Sequence, residues 1–74
     1  MDEATRIQKD LDMFSDNAKQ LDTKSLSKRH QKIVELATQY FSDAQYYLEK
    51  KDFFTSFGCI NYAHGLLDAV LKDV

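Results

Sequence analysis

The residues most able to do chemistry in this sequence are His64 and Asp68, four positions apart. On a helix that spacing puts an imidazole and a carboxylate on one face, and a carboxylate so placed can orient the ring for proton transfer. With the hydroxyl of Tyr40 they would outline a small-molecule or catalytic site. No serine or cysteine is spaced to act as a nucleophile beside His64. One histidine and one aspartate also fall short of the three or four converging ligands that a metal needs. The simpler role is structural, a histidine at the edge of the core bonded to Asp68 or to a backbone carbonyl. No catalytic, metal-binding or cofactor-binding residue is therefore assigned, and a non-enzymatic protein is expected.

Two other features carry reactive or charged groups. Cys59 is the single cysteine, with no cation near it in sequence to lower its thiol pKa, so it reads as a small apolar side chain. Lys24, Lys28, Arg29 and Lys32 make segment 24–32 basic and could hold phosphate or nucleic acid. No aromatic platform accompanies them and the net charge is −2, which disfavours nucleic acid. Asp16 and Asp22 are the expected ion partners of this cluster.

The elements that must position these residues are helices. The 74 residues include no proline and two glycines, are 43% hydrophobic and 30% charged, and so suit one all-α domain spanning 1–74. A chain this short buries only about 60% of its unfolded surface, so a second chain could usefully add to its core. The acidic start is no signal peptide, no apolar run approaches a membrane span, and a lone cysteine suits a reducing compartment. A cytoplasmic protein is expected.

Apolar positions at Ala4, Ile7, Leu11, Phe14, Ala18 and Leu21 recur three and four apart, predicting a helix over about 2–22. The polar stretch 22–28 breaks this pattern, with Thr23 or Ser25 as the next cap. No Gly or Pro enforces the break, so one long helix through it stays open. A second helix over about 25–50 carries Ile33, Ala37, Tyr40, Ala44 and Tyr47, with Val34, Phe41 and Leu48 beside them. Asp52 caps a third over 53–73. The short 50–52 connection makes helices two and three antiparallel neighbours.

In such a hairpin, facing residues have numbers that add to one constant. Tyr47 then faces Phe53, Ala44 faces Ser56, Tyr40 faces Ile60, Ala37 faces Ala63 and Ile33 faces Leu67; Leu26 with Val74 and His30 with Val70 extend the series. Small residues meet small ones, which allows close backbone approach. Val34, Phe41 and Leu48 flank this seam on the same side as Phe57, His64 and Leu71. Helix one should fill that groove, with Ile7 near Phe57, Phe14 near His64 and Leu21 near Leu71. The expected fold is an all-α, up-down-up three-helix bundle.

One face of helix three then has no partner. Phe54, Gly58, Tyr62, Gly65 and Ala69 point outward with Leu66 beside them, nearly without charge. Each glycine inside a helix costs about 1 kcal/mol relative to alanine, and glycines seven apart admit another backbone closely. Either helix one covers this face after all, or these residues bind a protein partner or a second copy of the chain.

Residues 40–63 resemble a tetratricopeptide hairpin. Ala44, Tyr47, Asp52, Phe53, Ser56 and Ala63 fall where that repeat uses small, aromatic and turn residues, but Asp43 stands where leucine is usual. A single copy is too few for a repeat array, since about three are needed. A closer resemblance covers A-x-x-Y-F-x-D-A-x-Y-Y-L-E at 37–49 and D-F-F-x-S-F-G-C-I-N-Y-A-H-G-L-L-D-A at 52–69. These are similar to the domain-of-unknown-function 357 family of short archaeal proteins. That resemblance implies a small three-helix bundle in an archaeal cytoplasm and brings no activity, cofactor or catalytic residue. The functional expectation is a helical interaction module acting through the outer face of helix three; the alternative is a nucleic-acid accessory protein using segment 24–32.

Overall fold

A computed structural model describes residues 2–74, and its helices are α1 (Glu3–Ala18), α2 (Lys28–Glu49) and α3 (Phe53–Asp73), with a short 3-10 turn at Thr23–Ser25. They form the three-helix bundle read from the sequence. Asp2 starts α1 by accepting the Thr5 N–H at 2.8 Å, and this bond holds its carboxyl below the usual carboxylate range.

The connection between α1 and α2 is a true turn, longer than expected. α1 stops at Ala18 rather than 22 because the next residues bond locally. The Asp22 carboxylate accepts the Lys24 N–H at 3.1 Å and the Ser25 hydroxyl at 2.9 Å. With Ser25 engaged there, neither it nor Thr23 caps α2. Ser27 does so instead, accepting the His30 N–H at 3.1 Å, so α2 begins at Lys28 rather than 25. The Gln31 amide ties the loop down by donating to the carbonyls of Thr23 and Leu26, both at 3.0 Å.

The α2–α3 connection is as short as predicted. The Asp52 N–H reaches the Tyr47 carbonyl at 2.9 Å and the Lys51 N–H reaches that of Leu48 at 3.0 Å, a Schellman ending. It requires a left-handed residue, and Lys51 takes that conformation (φ 62°) where glycine is usual. Asp52 then caps α3 through the Thr55 N–H at 3.2 Å.

The seam follows the facing pairs. Ala37, Ala44, Ser56, Ile60, Ala63, Leu67 and Val70 are buried, all with no measurable exposure. The Ser56 hydroxyl donates to the carbonyl of Ala44, its expected partner, at 2.6 Å. A side chain as short as serine can reach a carbonyl on another helix only where the backbones lie close. The series frays at its lower end: Leu26 is outside α2, Val74 is 65% exposed, and the His30 ring meets Asp73 at 3.0 Å.

α1 occupies the predicted groove. Its Ile7, Leu11 and Phe14 are buried, each side chain contributing about 1.5–3 kcal/mol by leaving water. The Phe14 ring stacks on Phe41 of α2 (centroids 4.8 Å apart) and meets His64 of α3 edge-on at 5.8 Å. Ile7 shares a cavity wall with Phe57. Both levels match the expectation and make α1 parallel to α3. The α2–α3 interface is the most extensive, and α1 touches α3 more than α2.

Two substitutions test the close seam by urea unfolding. Ser56→Ala should cost about 1 kcal/mol through the lost hydrogen bond. Ser56→Leu should cost a further 1–3 kcal/mol or so by overfilling the gap. A leucine variant as stable as the alanine variant would mean that the helices are not held so close.

Candidate functional site

α3 is apolar nearly all round, a pattern normally found in helices buried on every side. Its inner face, Ser56, Ile60, Ala63, Leu67 and Val70, is fully covered. Its outer face is not. Phe54 is 92% exposed and Tyr62 51% exposed, and Gly58, Gly65 and Ala69 are exposed as well. Leu66 is half-buried and packs on the core, so it borders the open face. The Tyr62 ring lies edge-on to Tyr40 of α2 at 4.6 Å, which steadies one side of the surface. α1 does not cover this face, so that alternative is excluded.

The two glycines have no role within the fold. Neither has a positive φ, and a methyl group built on either would meet nothing within 4 Å. Helix propensity alone would favour alanine at both positions.

At the N-terminal end of α3 the open face runs into a half-open cavity of about 300 Å³, lined by Glu3, Arg6, Ile7, Phe53, Phe54 and Phe57. Sequence reasoning did not single out Glu3 or Arg6. The signal was present in the matching of Ile7 with Phe57, since Arg6 and Glu3 neighbour Ile7 on α1.

His64 is a packing residue. Its Nε2 bonds the Asp10 carbonyl of α1 at 2.8 Å, and because a carbonyl only accepts, the ring carries a proton there. This backbone bond was one of the two expected; the other, to Asp68, does not form, and Asp68 is exposed. Tyr40 is engaged with Tyr62, and His64 lines neither of the clefts at Glu3–Phe57 and Thr23–Glu35. His64, Asp68 and Tyr40 are not brought together as a site. Among the described residues no group of three His, Cys, Asp or Glu side chains could hold a metal, and no helix is long and apolar enough to cross a membrane.

Lys24 lies in the 3-10 turn, and Lys28, Arg29 and Lys32 occupy the start of α2, all exposed. The expected pairing with Asp16 and Asp22 does not occur. Among the described residues the one basic side chain that meets a carboxylate is His30, at Asp73, and Asp22 is committed to its own turn. Cys59 is half-buried against the core. Burial, with smaller contributions from the charges of Asp43 and Asp52, pushes its thiol pKa up and reduces its thiolate at neutral pH, in keeping with an apolar role.

These features define a small three-helix bundle with one uncovered helix face. The chain belongs to the family described as "Protein of unknown function (DUF357)", which it matches over residues 9–72. The match takes in α1 from Lys9 onward, α2, and α3 up to Lys72, beyond the motifs at 37–69 that carried the resemblance. No curated protein matches the chain.

Gly65→Ala should raise the unfolding free energy by about 1 kcal/mol in dilute solution, measured by chemical denaturation. An unchanged or lower stability would show that the fold itself needs the glycine.

Proposed function

We propose that this chain is a non-enzymatic protein-interaction module whose contact surface is the outer face of α3, built from Phe54, Gly58, Tyr62, Gly65 and Ala69 with Leu66 at its border. One observation carries the reading: two glycines weaken the middle of a helix where nothing in the chain's own fold requires them. A close-packing partner would give that cost a reason, because glycine lets a second backbone approach. The exposed aromatic rings of Phe54 and Tyr62 supply the side-chain anchors that interfaces favour. A single cysteine suits a reducing, cytoplasmic setting.

A photo-crosslinking residue in place of Tyr62 should form covalent adducts with a protein, either this chain or another, in purified protein or in extract from the source cells. The same residue at the exposed Gln39 of α2 should not. Absence of adducts from position 62 in both preparations would sink the proposal.

The second reading, nucleic-acid binding through Lys24, Lys28, Arg29 and Lys32, is supported by their lack of carboxylate partners among the described residues. It requires binding to DNA or RNA at low salt that weakens steeply as salt rises. No binding at low salt would dismiss it.

A further inference from the structure

The occupant of the α3 face can be specified, taking as given that this face binds protein. We infer that it is a second copy of the chain, packed with the two α3 helices antiparallel about a two-fold axis midway between Asn61 and Tyr62. A symmetric interface must be complementary to itself. In this register Gly58 lies opposite the partner's Gly65, and Phe54, the most exposed large apolar residue, lies opposite the partner's Ala69. Asn61 stands opposite the partner's Tyr62 at the axis, a glycine pair lies within one turn on each side of it, and beyond each glycine pair a large ring meets a small residue. A parallel pair would instead set each residue against itself, with ring on ring, Asp68 on Asp68 and Lys72 on Lys72.

The charges bordering the face fit the same arrangement. At 100° per residue, Phe54, Asn61, Asp68 and Lys72 fall along one edge of the outer face of α3. That edge borders α1, because Phe54 and Phe57 share a cavity with Glu3 and Arg6. The antiparallel register places the first turns of one α3 beside the last turns of the other. Arg6 then comes beside the partner's Asp68, and Glu3 beside the partner's Lys72. All four are exposed, and none takes part in the His30–Asp73 contact, the one such pairing among the described residues. Two opposite pairs, each made twice by symmetry, support this register and outweigh the one like-charge approach in it, Lys72 at the level of the partner's Lys51.

The area is sufficient for a weak pair. At about 200 Å² for a fully exposed aromatic residue, the exposed parts of Phe54 and Tyr62 come to about 290 Å². The glycines, Ala69 and the charged edge bring each copy to the ~500 Å² that the smallest specific interfaces need. Area alone does not set affinity, and weak pairing in the micromolar range is part of the proposal.

Sedimentation equilibrium on the purified chain tests this directly. The wild type should dimerise in the micromolar range, and Gly65→Lys should abolish pairing. Arg6→Asp and Asp68→Arg each place like charges together twice and should weaken self-association by about ten-fold. An equimolar mixture of these two variants should pair about as tightly as the wild type, since both contacts are then restored between unlike chains. Both side chains are exposed, so the variants keep the fold. A mixture that pairs no better than either variant alone overturns the register. A wild type that stays monomeric at several hundred micromolar overturns self-pairing altogether. Adducts from position 62 with another protein would in that case leave the interaction reading standing, while their absence would remove both.

Discussion

The closeness of α2 and α3 governs the rest of the structure. Ala37, Ala44, Ser56 and Ala63 place small residues on both sides of the seam, so the two backbones approach until a serine hydroxyl reaches a carbonyl of the facing helix. Close approach leaves little freedom of register, and larger side chains such as Ile60 and Leu67 must fill the levels between. Once that register is set, the direction of every other side chain on the hairpin follows. Phe41 and His64 come to flank one groove, which takes Phe14, and Phe54 and Tyr62 are turned to the far side.

This explains why the bundle could be read from sequence so largely. The alternation of small and large residues on two helices joined by a minimal turn has one consistent pairing, and the Ser56–Ala44 bond falls on it. The groove for α1 followed from the same geometry. The stretch from Lys19 to Ser27 was less legible because several short polar side chains there could each cap or turn the chain. Asp22 took Ser25 as a partner, leaving Ser27 to start α2, and no pattern of apolar residues distinguished those options. The candidate face was legible as an unpaired stripe on α3. The cavity at its end was not, since it depends on how Glu3 and Arg6 of α1 lie beside Phe54 and Phe57. The partner of His64 was open to two choices, and the backbone of α1 won because the ring points into the groove rather than along its own helix.

The outer face also fits the economy of so small a chain. A short bundle leaves much apolar surface in water, and here α3 carries Phe54, the most exposed large apolar residue, with Phe57 and Tyr62, while Met13, Leu36 and Tyr46 are exposed on α1 and α2. Burial of Phe54 and Tyr62 by a partner would extend the apolar core beyond what one chain can enclose.

The unequal attachment of the helices shapes how the molecule reaches and leaves its folded state. α2 and α3 meet through contacts close in sequence across the minimal turn at Lys51, an arrangement that closes quickly. α1 is tethered by a longer link and held chiefly by Ile7, Leu11 and Phe14. Fewer contacts hold α1 than hold the hairpin together, so its local opening should cost less than opening the hairpin. With no proline in the chain, no slow peptide isomerisation delays either step.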